Sequence, residues 1–156
     1  MPARRTAAAL SAALAMTLAG CGDDADPTAF AAATDRTCRD VAAAVTTLRE
    51  ELVRGDGDSV SAALRTAVDR YAQRVDRAAS TLADAQAPDD DRDFRDGAVG
   101  ALREHAATLR RAARQAASGT LPTALAQQLE RTGPAALPEI PDGILESAPA
   151  CRAAVR

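Results

Sequence analysis

The sequence contains no Lys, no Trp and no Asn, and it has one His, His105. Without Lys there is no P-loop lysine, no Schiff-base amine and no Ser-x-x-Lys nucleophile. A single His excludes multi-His zinc sites and the repeated Glu-x-x-His motif of di-iron bundles. Gly-x-Ser-x-Gly and Gly-x-Gly-x-x-Gly are missing, and both methionines, Met1 and Met16, lie at the N-terminus. We therefore expect a protein that is not an enzyme and that uses no cofactor and no metal.

The composition favours an all-α fold. Aromatic residues are 2% of the chain, whereas hydrophobic residues are 47%, with Ala dominant. Ala is the best helix former, and aromatic and β-branched residues, which favour strands, are scarce. All 19 basic residues are Arg, against 22 acidic residues, and the net charge of -3 gives no reason to expect nucleic-acid binding.

The N-terminus has the parts of an export signal. Arg4 and Arg5 form a short basic segment, and an apolar run follows over residues 6–17. This run has the length of a signal-peptide core and is too short for a membrane span of about 20 residues. We therefore predict that residues 1–20 are a signal peptide, that 21–27 are a tether and that 28–156 form one domain.

The apolar run ends in Leu18-Ala19-Gly20-Cys21, which resembles the lipobox of bacterial lipoproteins. The chain as a whole is similar to the short helical lipoproteins of high-GC Gram-positive bacteria. The lipobox implies diacylglyceryl transfer to the Cys21 sulfur, cleavage between Gly20 and Cys21, and a lipid anchor on the extracytoplasmic face of the cell membrane. The alternative is an ordinary secretory leader that is cut near Ala19.

The three cysteines are consistent with export. If Cys21 carries lipid, Cys38 and Cys151 remain, and two cysteines in an oxidising compartment are usually paired. A Cys38–Cys151 disulfide would close a loop of roughly a hundred residues and contribute about 4–5 kcal/mol to stability in the chain-entropy model. Two separate buried thiols are the alternative.

Apolar residues recur at helical spacing in three long segments and a shorter fourth. Turn signals separate the segments at Gly55-Asp56-Gly57, Pro88, Gly119 and Gly133-Pro134. The acidic run Asp89-Asp90-Asp91 opens the third segment, and Thr120 opens the fourth. The residues expected to face the core are Phe30, Thr34, Cys38, Val41, Val45, Leu48 and Leu52; Val60, Leu64, Val68, Tyr71, Val75 and Leu82; Phe94, Ala98, Leu102, His105, Leu109 and Ala113; and Leu121, Leu125 and Leu129.

Short connections make consecutive helices antiparallel, which predicts an up-down helical bundle. The C-terminal tail, with Pro138, Pro141 and Pro149, cannot be one helix, and we expect it to pack in an extended or single-turn path. Because the fourth helix runs back towards the start of the first, the tail should reach Cys38. The tether and the tail should then lie at the end of the bundle nearest the membrane.

Several charged residues have ordinary structural explanations. Asp89, Asp91 and Asp93 imitate the start of a calcium loop, but Phe94 and Gly100 occupy the positions that need Gly and Glu. We interpret these acids as helix-start residues that interact with the macrodipole. Five pairs of opposite charge lie four residues apart, as in solvated helices: Asp35/Arg39, Arg36/Asp40, Arg65/Asp69, Asp91/Arg95 and Arg92/Asp96.

Two features allow a functional interpretation. His105 lies on the inner face of the third helix and is expected to be a hydrogen-bonded core histidine, with a pH-sensitive latch as the alternative. Arg103, Arg110 and Arg114 share a face of that helix, with Arg111 beside them. This arginine stripe can dock an acidic protein or an anionic envelope polymer, or it can serve as a solubilising surface.

The leading hypothesis from the sequence is a membrane-anchored, non-catalytic module that engages another cell-envelope component. The alternative is a binder of a small apolar or anionic ligand. A pocket between helices would favour the ligand, whereas a filled Ala-rich core with an exposed patch would favour the partner.

Overall fold

A computed structural model of the chain describes residues 25–54, 60–115 and 136–154. The fold of these residues is all-α, as predicted, and they form no β-strand. It has three long helices, two short helices and one 3₁₀ turn at Asp89–Asp91. The α-helices are α1 (Pro27–Arg54), α2 (Val60–Ala83), α3 (Arg92–Gln115), α4 (Asp142–Ser147) and α5 (Pro149–Ala154). The predicted fourth helix, the signal peptide and Cys21 lie outside the described residues.

The apolar stripes read from the sequence are the buried faces of α1, α2 and α3. Every predicted core residue in these helices whose side chain is described is buried, except that Leu52 is half-buried against the core. Ala supplies much of the remaining contact surface, since Ala72, Ala79, Ala98 and Ala106 are completely buried. Such small side chains let neighbouring helices approach closely.

The polar contacts between α1 and α2 show that these helices are antiparallel. Arg70 pairs with Glu51 at 3.2 Å, and Arg74 donates to Thr47 at 2.7 Å. Arg74 follows Arg70 by four positions, whereas its partner Thr47 precedes Glu51 by four positions. Helix α2 also packs against α3, whereas no Cα atoms of α1 and α3 come within 8 Å of each other. Helix α2 is therefore the middle helix of the three.

The apolar core has two parts, one towards each end of the bundle. At one end, the last turns of α2 and the first turns of α3 pack with the start of α1, through Leu82, Phe94 and Phe30. The C-terminal tail packs into this same cluster through Ile140 and Ile144. The end of α2 thus meets the beginning of α3, so these two helices are antiparallel as well.

The tail connects α3 to α1. Pro138 lies over Gly97 of α3, where its Cγ is 4.0 Å from the position that a Cβ would occupy. Helices α4 and α5 then pack against α1. The tail was expected to be extended or to form a single turn, but it forms two short helices. Pro141 directly precedes α4, and Pro149 is the first residue of α5, where its missing N–H costs no helical hydrogen bond.

No helix in the described ranges is both long enough and apolar enough to cross a membrane.

Candidate functional site

The predicted Cys38–Cys151 disulfide is present and joins α1 to α5. The S–S distance is 2.01 Å, the Cα atoms are 5.1 Å apart, and the two residues are separated by 113 positions. Both cysteines are completely buried. The Cys151 sulfur also lies 3.4 Å from the carbonyl oxygen of Thr34, in a packing contact, since a disulfide sulfur has no proton to donate. The tail is therefore covalently fixed to the first helix, as the sequence predicted.

Asp35 provides a second connection between α1 and the tail. Its carboxylate is buried, with 6% exposure, and accepts a hydrogen bond from the backbone N–H of Ala150 at 2.6 Å. It also pairs with Arg39, as the four-residue spacing predicted. The interpretation of Asp35 as a solvated residue is wrong, because the tail covers it. Of the five predicted charge pairs, the others do not form among the described residues; Arg92 instead pairs with Asp89, and Arg95 with Asp96.

Arg152 holds the two short tail helices together. Its guanidinium donates to the carbonyl oxygen of Leu145 at 2.8 Å and to that of Glu146 at 2.7 Å. These carbonyls lie in the last turn of α4, where backbone acceptors have no partner within the helix. Arg152 thus caps α4 from α5, and the tail behaves as one unit attached to α1.

His105 and Tyr71 meet between α2 and α3 in the buried core. The Tyr71 hydroxyl and His105 Nε2 are 3.2 Å apart, and the rings meet edge to face with centroids at 6.0 Å. Tyr71 is 2% exposed and His105 is 9% exposed. Burial lowers the pKa of His105, because the imidazolium would lose its hydration. His105 is therefore a hydrogen-bonded core histidine, in agreement with the first of its two interpretations.

The arginine stripe of α3 is divided by contacts within the domain. Arg110 pairs with Asp76 of α2 at 2.7 Å, and Arg111 donates to Thr108 at 2.9 Å. Arg103 and Arg114 are exposed and have no ion pair with any residue in the described part of the chain. Arg110 therefore contributes to packing of α2 and α3, whereas Arg103, Arg111 and Arg114 are exposed and are not neutralised by an ion pair within the described residues.

The acidic run before α3 forms a helix start. Asp89–Asp91 make a 3₁₀ turn that leads into α3, and Phe94, at the position where a calcium loop needs Gly, is buried in the core. Within the described ranges, no three His, Cys, Asp or Glu residues are grouped in a way that could hold a metal ion.

A groove between α1 and α2 was not identified from the sequence. It is an open depression of about 410 Å³, lined by Asp40, Ala43, Ala44, Arg74, Arg77, Ala78 and Thr81. Arg70, Arg74 and Arg77 lie at positions i, i+4 and i+7 of α2, a spacing that places them on one helix face. That spacing is visible in the sequence, but the acidic and small residues facing it from α1 become apparent only in the fold.

Nothing matches this chain in comparisons with family models, with curated proteins or with solved structures. Its function is therefore inferred from its own residues: the Leu18-Ala19-Gly20-Cys21 motif, the disulfide-bonded tail, the exposed arginines of α3 and the groove between α1 and α2.

Proposed function

We propose that the protein is an extracytoplasmic lipoprotein, anchored in the cell membrane through Cys21, whose helical domain engages another component of the cell envelope without catalysing a reaction. The observation that carries the proposal is the Cys38–Cys151 disulfide. Disulfides persist in oxidising compartments and are rare in a reducing cytosol. A disulfide in the folded domain therefore agrees with the export and lipidation that the Leu18-Ala19-Gly20-Cys21 motif implies.

The tether keeps the domain close to the membrane. Helix α1 begins at Pro27, six residues after Cys21, and a chain of that length spans at most about 20 Å when fully extended. The end of the bundle that carries the start of α1 and the tail is then the end that faces the lipid. Asp89–Asp91 belong to the same end, and anionic head groups would repel them, which favours a domain that stands off the surface.

The partner surface that we propose is the exposed part of the arginine stripe on α3. Arg103 and Arg114 are separated by eleven positions, or about 16 Å along a helix. Neither is neutralised by an ion pair within the described residues. Guanidinium groups bind carboxylates and phosphates through paired hydrogen bonds, so this face suits an acidic protein or an anionic polymer.

Cross-linking in intact cells tests the proposal. The cells would carry either the natural protein or the double variant Arg103→Glu/Arg114→Glu, and the lipidated protein would be extracted in detergent with whatever is attached to it. We leave Arg110 unchanged, because a glutamate there would face Asp76 and disturb the packing of α2 and α3. Arg49→Glu is the matched control, since Arg49 is exposed on α1 and lacks an ion pair with the described residues.

We expect one reproducible partner that is retained by Arg49→Glu and lost by the double variant. Recovery of the same components as with an unrelated lipoprotein would contradict the proposed engagement. Equal loss with Arg49→Glu and with the double variant would contradict the assignment of the surface to α3.

The groove between α1 and α2 favours a second candidate function, the binding of a small anionic ligand. It combines two arginines, Arg74 and Arg77, with an open depression that is also lined by alanines. The two functions are compatible, because the groove and the stripe are formed by different helices.

A further inference from the structure

We propose that the groove between α1 and α2 binds a phosphorylated carbohydrate, with Arg74 and Arg77 holding the phosphate and Asp40 accepting hydrogen bonds from the hydroxyl groups. This inference deepens the proposed function, because it names the chemistry of an envelope component that the domain would engage. Its test does not require Cys21 to be lipidated, so the two proposals can fail separately.

The two arginines are not explained by packing within the domain. Arg74 is half-buried, and its one hydrogen bond among the described residues goes to Thr47 at 2.7 Å, which leaves most of its donors unused. Arg77 is exposed three residues further along α2, with no ion pair in the described ranges. Like charges on adjacent turns of a helix repel each other. Arg70 and Arg110 differ, since each is neutralised by a carboxylate.

Thr47 restrains Arg74 beside the groove. Arg74 of α2 donates a hydrogen bond to the Thr47 hydroxyl of α1 at 2.7 Å, so its guanidinium is attached to both helices that form the groove. A guanidinium that is already oriented loses less conformational freedom when it binds an anion than one on a free surface chain. The site is thus partly organised before a ligand arrives.

The shape of the groove suits a ligand larger than a simple ion. Ala43, Ala44 and Ala78 form its floor, and their short side chains let a sugar ring approach the helix backbones. The depression of about 410 Å³ lies within the size range of sites for small molecules. A phosphate ion would leave most of this space empty.

The charge of the lining selects the ligand. Two arginines and one aspartate, Asp40, give the groove a net charge of +1, which attracts an anion. Asp40 is exposed and has no ion pair with either arginine, so its carboxylate is available as an acceptor for hydroxyl groups. A tetrahedral phosphate presents oxygens in several directions and can accept from two guanidinium groups, whereas a planar carboxylate is matched by one.

The test is titration calorimetry on the protein as the cells produce it, purified in detergent whether or not Cys21 carries lipid. Glucose 6-phosphate is the probe, with inorganic phosphate, glucose and glucuronate as the comparison ligands. The variants are Arg74→Gln/Arg77→Gln, Arg77→Gln by itself, and Asp40→Asn. Arg65→Gln is the matched control, because Arg65 is an exposed arginine of α2 outside the groove. Arg77 has no ion pair with α1, so Arg77→Gln removes no such link between the two helices. This variant therefore tests the site even if the double variant is less stable.

We expect saturable binding of glucose 6-phosphate at about millimolar concentration. The double variant should weaken binding about tenfold or more, Arg77→Gln should weaken it measurably, and Arg65→Gln should leave it unchanged. Asp40→Asn should reduce the preference for glucose 6-phosphate over inorganic phosphate. The absence of saturable binding, or an equal loss with Arg65→Gln, would overturn the site. Inorganic phosphate, glucose or glucuronate binding as tightly as glucose 6-phosphate would overturn the ligand class.

Discussion

The carboxylate of Asp35 accepts a hydrogen bond from the backbone N–H of Ala150, 115 positions later in the chain. Helix α5 begins at Pro149 and follows Ala148, so no side chain of its own is placed to cap its first turn. A helix of six residues is not stable by itself in water. Asp35 supplies the cap from α1, three residues before Cys38, and the tail is thereby held at two neighbouring points.

Replacing Asp35 should loosen the tail without releasing it. We expect Asp35→Ala to lower the free energy of unfolding by about 1–2 kcal/mol, because the cap is lost and the half-buried Ala150 loses the acceptor of its backbone N–H. Asp40→Ala is the matched control, an exposed acid of the same helix, and should cost much less. Urea unfolding of the oxidised proteins measures both values. Equal costs for the two variants would show that Asp35 does not have this role.

Removing the disulfide should cost more than removing the cap. The Cys38–Cys151 bridge closes a loop across 113 positions, and it is completely buried. We expect Cys38→Ala/Cys151→Ala to lower the free energy of unfolding by about 2–5 kcal/mol, since the unfolded chain regains the entropy that the bridge removes. The measurement is the free energy of unfolding in urea, obtained from the midpoint and the denaturant slope of each protein separately. A loss below about 1 kcal/mol would mean that the tail is held mainly by its apolar contacts.

The helices could be predicted from the sequence because their signals are local. The stripes of α1, α2 and α3 follow the helical repeat, and Ala makes each segment a strong helix former. The path of the tail was less accessible, since its prolines exclude a long helix but do not specify two short ones. The role of Asp35 depends on a contact across most of the chain. A pair with Arg39 on an exposed helix face explains the charge of Asp35 just as well as burial under the tail does. The sequence therefore contains no reason to expect Asp35 to be buried.

The stability of the domain should fall in mildly acidic solution because of His105. Burial lowers the pKa of His105 below the ordinary value of 6.5, so the unfolded chain binds this proton more readily than the folded chain. The contribution is therefore complete above the unfolded pKa and is lost as the pH falls from there through the folded pKa. We expect the natural protein to lose stability as the pH falls below about 7.

His105→Gln removes the group that titrates in this range and keeps a side chain that can hydrogen-bond to Tyr71. Urea unfolding of both proteins over a series of mildly acidic to neutral pH values isolates the contribution of the histidine. The free energy of unfolding of the variant should depend less steeply on pH than that of the natural protein. The same slope in both would show that His105 does not control the response.

A double-mutant cycle measures the contact between Tyr71 and His105. Tyr71→Phe keeps the ring and removes the hydroxyl that lies 3.2 Å from Nε2. We expect a coupling free energy of about 1 kcal/mol between Tyr71→Phe and His105→Gln at neutral pH, which is ordinary for a buried hydrogen bond. The free energies of unfolding of the four proteins supply the value. A coupling free energy near zero would mean that each residue stabilises the domain mainly through its other contacts.

The two candidate binding surfaces could be predicted from the sequence only in part. The stripe Arg103, Arg110 and Arg114 is correctly placed on one face, but the pairing of Arg110 with Asp76 depends on how α2 and α3 are aligned. The groove depends on α1 as well, because Thr47 and Asp40 face the arginines of α2 only after the two helices pack. A charge pattern on one helix cannot reveal which charges the neighbouring helix neutralises.

The mass of the intact protein extracted from membranes reports on export, cleavage and lipidation together. We expect a chain that begins at Cys21, carries the added mass of acyl groups, and lacks the two thiol protons of Cys38 and Cys151. Reduction should restore those two protons and leave the acyl mass in place. A mature chain without acyl mass, or one that still carries residues 1–20, would contradict the assignment of this protein as an exported, lipid-anchored domain.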